Sequence, residues 1–316
     1  ASLRRPTFPA QQVAQVQGQL LTALQMRASD TEQMSRLAFR EAVYANGHPY
    51  GRSQLGYDDT VSALTRDDVA AFHRRTYGPR DMIVTIVGAI KADVASAKVA
   101  AVLGDWQVPQ QEVMPAVPDA VRPEGVVKTA VFIPEKSQAD IVLGLPGPCR
   151  AESDYLDASV MNTILGVFGM MGRIGQAVRE EQGLAYYAYS RLQGGLGPNP
   201  WMACAGVAPD DVKKAVAGIV KEIERIQNEP VDADELADSQ TYRIGSLPVG
   251  LETNSGLADV ITDMMLYELG LDYLIQYPDM IRDITPARIQ AAAQKYLSAE
   301  QLVVAVAGPG GVIGDR

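Results

Sequence analysis

The chain has 316 residues, 47 % of them apolar and 21 % charged, the balance of an ordinary globular protein long enough for two domains and unlike a disordered one. A formal charge of −10 argues against a sequence-independent grip on nucleic acid phosphates, and the longest apolar run, Met82–Ile90, is strand-sized and far short of a membrane span. Two cysteines, Cys149 and Cys204, are too few for a disulfide framework and lack metal-site spacing, so they read as thiols and leave the compartment open between periplasm and cytoplasm.

Apolar periodicity predicts helices over Phe8–Met26 and Thr31–Tyr44, the second capped by Asp30 or Thr31. A loop around Asn46–Gly51 follows, then a helix capped at Thr65 and a β-branched strand at 82–88. Pro109–Pro123 reads as a Pro-rich linker. Beyond it the pattern predicts strands at 128–133 and 139–145 and helices at 153–167 and 171–181. Strands follow at 184–192 and 202–207, and helices at 209–228, 232–241, 254–269 and 271–284. Strands and helices come in clusters, which favours an α+β fold with a largely antiparallel sheet.

The chain also repeats itself. Shifted by 220 residues, Glu32–Gly88 falls on Glu252–Gly308 without a gap. Leu37 and Ala38 meet Leu257 and Ala258, Tyr57 meets Tyr277, Thr65 meets Thr285 and Gly88 meets Gly308. The repeat implies duplicated domains. They are expected at 1–108 and, complete, at 126–316, joined by a linker over 109–125. By the same offset the first domain would begin about 90 residues before Ala1, so it is expected to lack its front half.

Three places invite a chemical reading. Arg179 ends a helix and Gly183 allows the turn into a strand where Leu184, Tyr186, Ala188 and Ser190 share a face, with Tyr187 opposite. A guanidinium and a phenol flanking that corner offer donors to a peptide carbonyl or a developing oxyanion. The plain alternative is an Arg favoured at a helix C-terminus and a Tyr filling the sheet face. The loop Leu165–Gly172 carries Gly166, Gly169 and Gly172 among Val167, Phe168, Met170 and Met171, suited to motion and to varied apolar partners, or to nothing more than joining two helices. His48, before Pro-Tyr-Gly, reads as a loop-ordering residue, and His73, beside Arg74 and Arg75, as a surface one.

The stretch Gly169–Tyr186, with its Arg-to-Tyr spacing of seven, closely resembles the second domain of the insulinase-like zinc peptidases, which include pitrilysin and mitochondrial processing peptidase. His48–Arg52 and the close Val84-x-x-Val87-Gly88 match as well, so the resemblance covers Phe8 to Gly308. It implies duplicated α+β domains enclosing a chamber for unfolded peptides. It also implies that Arg179 and Tyr186 bind substrate beside a zinc held by another domain, and that the Gly166–Gly172 loop handles peptide.

The family's metal site does not carry over. Its zinc is held by an inverted H-x-x-E-H helix and a downstream Glu. This chain has two histidines in different elements and no such motif, and Ala23 stands where the downstream Glu aligns. The resemblance therefore implies a zinc-free, non-catalytic subunit, as in mitochondrial processing peptidase and bacterial two-subunit peptidases. Its partner would be a homologous H-x-x-E-H subunit carrying the zinc. The alternative is a structural homologue, like the core subunits of respiratory complexes, that turns over no peptide.

Overall fold

The computed structural model describes residues 2–44, 47–169 and 172–310; Asn46, Met170 and Met171 of the two loops lie outside them. In chain order the elements begin with α1 (Ala10–Ala28), α2 (Thr31–Val43), α3 (Asp58–Ala63), α4 (Arg66–Thr76) and α5 (Ala92–Leu103). Strands β1 (Val127–Phe132) and β2 (Ala139–Pro146) precede α6 (Tyr155–Gly166), the single turn α7 (Gly172–Gly175) and a π-helix, Gln176–Glu181. Then come β3 (Ala185–Leu192), β4 (Pro200–Val207), α8 (Val212–Asn228), α9 (Ala233–Gly250) and α10 (Asn254–Leu266). The chain closes with α11 (Tyr273–Arg282), α12 (Pro286–Tyr296) and β5 (Val303–Gly308). Among the described residues no helix is long and apolar enough to cross a membrane.

Two compact units form. The larger takes in residues 27–53, 117–247 and 271–316 and holds a five-stranded sheet of order β1-β5-β2-β4-β3. Only β1 and β5 run parallel; the other pairs are antiparallel, the α+β arrangement expected. One face packs Ile141, Leu143, Ala203 and Val304 with α6, α8 and α12, around Ile164, Ile219, Ile223 and Ile289. The other face packs Val142, Cys204, Val303 and Ala305 against Ala38, Phe39 and Val43 of α2. Because both faces are covered, every residue of β2 is buried, which is why its sequence runs apolar without alternation.

The smaller unit comprises residues 1–26, 54–116 and 248–270. The repeat is visible in its details. α4 and α12 lie 220 residues apart at both ends, and their caps Thr65 and Thr285 share φ −104°, with ψ 163° and 161°. The helices α2 and α10 occupy nearly equivalent repeat positions, yet each belongs with the other half of the chain. α2 covers β2 and β5 in the larger unit, whereas Thr262 of α10 hydrogen-bonds Thr85 at 2.8 Å in the smaller one.

One expected strand does not form as such. Residues 82–88 are the repeat partner of β5, which is flanked by β1 and β2. Among the described residues 82–88 has no ladder neighbour, and a strand exists only by its ladder. Ile83, Val84 and Ile86 are exposed there, at 39–48 %.

Candidate functional site

The corner that carries Arg179 and Tyr186 is built by three departures from regular structure. The helix expected over 171–181 begins as α7 and then widens into the π-helix, a rare geometry that recurs at functional sites. Gly183, at φ +63°, then turns the chain, its amide donating to the Arg179 carbonyl at 3.1 Å while the Leu184 amide reaches the Val178 carbonyl at 3.0 Å. Only Gly adopts that φ without cost. Finally β3 pairs Ala185 with Val207 but Tyr187 with Gly206, so Tyr186 is the extra residue of a β-bulge.

The bulge separates residues that strict alternation places together. Ala188 and Ser190 are buried, the Ser190 hydroxyl donating to Asn162 Oδ1 at 2.8 Å, while Tyr186 is 83 % exposed with no partner for its hydroxyl among the described residues. Arg179 is half-exposed, with an ion pair to Glu180 at 3.5 Å that solvent screens. Both donors at this corner are thus open to an incoming group.

Tyr187 does the opposite job. It turns to the face covered by α2, and its hydroxyl donates to Oδ1 of Asp140, a carboxylate only 1 % exposed, at 2.5 Å. Burial first, and then the Asp140 carboxylate, push the Tyr187 phenol well above its ordinary range. Gln138 Nε2 gives the same oxygen a second bond at 3.0 Å. Gly206 opposite is needed for this packing, since a Cβ there would lie 2.6 Å from the Tyr187 ring. Sequence reasoning did not find this pair; the Asp among β-branched residues in a buried strand was the available signal.

The three loop glycines have identifiable structural duties. A Cβ on Gly166 would sit 2.1 Å from the Ser190 amide nitrogen, so this residue lets α6 approach β3. Gly172 has φ +66° and would place a Cβ 2.4 Å from the Ile164 carbonyl oxygen. Gly169, at φ +54°, has open space around it. Just beyond the loop, Arg173 forms a bidentate pair with Glu235, Nε to Oε1 at 2.8 Å and Nη2 to Oε2 at 2.6 Å, which the sequence did not announce.

Zinc has no seat on the described residues. No three His, Cys, Asp or Glu side chains among them are grouped to hold a metal ion. His48 is buried and stacked on Tyr44, its Nδ1 accepting from the Tyr50 amide at 3.1 Å and its Nε2 lying 2.9 Å from the Pro118 carbonyl. His73 lies on Tyr77 with Nε2 2.8 Å from the Leu3 carbonyl. Both histidines order loops or termini. Burial raises the Cys204 thiol to about 11, which suits a core thiol and not a nucleophile.

Comparison with known proteins gives the family. The profile of the Peptidase M16 inactive domain matches residues 63–242, and the chain belongs to that family. It is 28 % identical over 289 residues to an uncharacterized zinc protease of Streptomyces coelicolor, covering 89 % of this chain and 61 % of the relative. It is 22 % identical over 272 residues to a non-peptidase homolog of Helicobacter pylori, covering 86 % and 62 %. The chain therefore spans a little over three fifths of these relatives' length. Its fold matches the crystal structure of a peptidase M16 inactive domain from Pseudomonas fluorescens with TM-score 0.88 and 23 % identity, over 99 % of this chain and 74 % of that one. Within a zinc peptidase family, the match is thus to the inactive domain.

Proposed function

We propose that the chain is the zinc-free subunit of a heteromeric zinc metalloendopeptidase. It gives Arg179 and Tyr186 to a peptide held at the zinc of a homologous H-x-x-E-H partner and forms half of a chamber for unfolded peptides. The observation that carries this reading is Tyr186, a large side chain 83 % exposed on a β-bulge with an unpartnered hydroxyl, beside the half-exposed Arg179. Together the two groups are suited to donate to a scissile carbonyl as negative charge develops there. The Gly166–Gly172 loop would guide the peptide past the corner.

Turnover of an unfolded peptide by the co-expressed pair tests the reading. Removing one such donor costs about 10²–10³ in rate at an enclosed site, so Tyr186→Phe and Arg179→Ala are each expected to lower turnover by at least about tenfold at this more open one. Zinc content and thermal stability should not change. Equal turnover by wild type and both variants would refute it. It would favour a scaffold role in which this chain makes no contact with the peptide; no turnover by the pair at all would favour a structural homologue without a peptidase role, in keeping with the Helicobacter relative being a non-peptidase homolog.

A further inference from the structure

Tyr186 stands on the outermost strand of the sheet. Among the described residues β3 has β4 as its one ladder neighbour, and the bulge leaves Tyr186 without a register partner on it. A bulge residue has no ladder position of its own, so its direction is set by the residues that flank it. Ala185, before it, pairs with Val207 and has only a methyl group to pack. Tyr187, after it, is the flank that side-chain chemistry can hold.

That flank is tied to the middle of the sheet. Asp140 of β2 pairs with Ala307 of β5 on one side and with Gly206 of β4 on the other, so two ladders fix it, and it is buried. The Tyr187 ring crosses β4 over Gly206, and its hydroxyl reaches Asp140 Oδ1 at 2.5 Å. Gln138 Nε2 donates to the same oxygen at 3.0 Å and holds it from its own strand. Further along β3, the Tyr189 hydroxyl accepts from Arg36 Nη2 of α2, and its ring lies 5.8 Å from that of Tyr187. Burying a carboxylate is costly where an apolar pair would pack, and what this bond adds is one fixed geometry. We infer that Asp140 and Tyr187 are positioning residues for Tyr186: the bond from the central strand to the edge strand fixes the C-terminal flank of the bulge, and with it the place from which the Tyr186 hydroxyl meets a peptide. This rests on the donor role proposed above for Tyr186, but its first readout needs no partner subunit.

That readout is the backbone order parameter of the Tyr186 amide, from ¹⁵N relaxation of the full chain alone. It should stand at about 0.85 in wild type and fall toward about 0.6 in Tyr187→Phe, while Ala203 and Ala205 of β4 keep theirs. An unchanged value at Tyr186 would overturn the inference. The second readout is turnover of an unfolded peptide by the co-expressed pair, well below the melting midpoint of each variant. Tyr187→Phe should lower kcat at least about threefold, by less than Tyr186→Phe does, with KM within about twofold of wild type. Asp140→Asn keeps an acceptor for the phenol and should retain most of the wild-type kcat. In a Tyr186→Phe background, Tyr187→Phe should change kcat by less than about twofold, because its effect passes through the hydroxyl already removed. An equal loss in both backgrounds is what a merely structural residue gives. That result, or an unchanged kcat in Tyr187→Phe beside a lowered one in Tyr186→Phe, would also overturn the inference. Should Tyr186→Phe itself leave turnover unaltered, the donor role falls, and the order parameter alone decides the positioning pair.

Discussion

Adjacent residues of β3 should respond to the same substitution in opposite ways. Tyr187→Phe removes one atom, the hydroxyl that donates to Asp140, and leaves the ring in place across Gly206. Asp140 is 1 % exposed, so water does not replace the lost donor, and Gln138 alone remains on that oxygen. A hydrogen bond to a buried charged group is worth about 1.5–3 kcal/mol, and that is the expected loss of stability. At this size the melting midpoint should fall by roughly 3–12 °C. In an Asp140→Asn background the acceptor is neutral and the further loss should shrink to about 0.5–1.5 kcal/mol. Tyr186→Phe removes a hydroxyl that lies in water and should stay within about 0.5 kcal/mol of wild type. Urea unfolding followed by far-UV circular dichroism measures the wild type and all four variants. An unchanged Tyr187→Phe, or an equal loss in both backgrounds, would refute the assignment of that phenol to Asp140.

Other consequences are open to the same assay. Gly169→Ala and Gly172→Ala both force a side chain into the left-handed region, at about 1–2 kcal/mol; Gly172→Ala should cost clearly more, because its Cβ also meets the Ile164 carbonyl at 2.4 Å. Burial, foremost among the causes, raises the Tyr44, Tyr187 and Tyr296 phenols above their ordinary value of 10.0. A group raised on folding stabilises fully below its unfolded value and progressively less above it. The urea midpoint should therefore fall as pH rises above about 10, and less steeply in Tyr187→Phe. Thr65→Ala should destabilise more than Thr285→Ala, since Thr65 closes a reciprocal capping box with Asp68 whereas the Thr285 bond to the Arg288 amide is 3.4 Å long.

How far the fold could be read from the residues depended on how local each signal was. The helix α4 was legible because its Thr cap acts within one element, and the 220-residue repeat carries the same cap onto Thr285 and α12. So was β2, whose unbroken apolar run anticipates cover on both faces. The helix α5 escaped notice because it is built of small residues with only Ala95 buried, which leaves no stripe to detect. α9 runs nine residues past its expected end at Thr241, through Pro248, where the weak helix formers and the Pro argued for a stop. Residues 82–88 carry the composition of a buried strand, but composition cannot supply the neighbours that make one.

The candidate site was legible as a pair and illegible as a geometry. Arg179, Gly183 and Tyr186 could be placed at one corner from helix and strand period alone, and they are there. Strict alternation, however, makes Tyr186 equivalent to Ala188 and Ser190, which are buried. One inserted residue breaks that equivalence, and nothing local in the sequence marks a bulge except Gly206 on the opposing strand. The break is what gives the corner its character. Without it, a tyrosine at this position would share the buried face of Ala188 or replace Tyr187 over Asp140. With it, β3 keeps one phenol for the core and releases the next to solvent. The two irregularities on either side of Gly183, π-helix and bulge, thus act together: each gives up regular hydrogen bonding, and what they jointly leave in the open is the guanidinium of Arg179 and the hydroxyl of Tyr186.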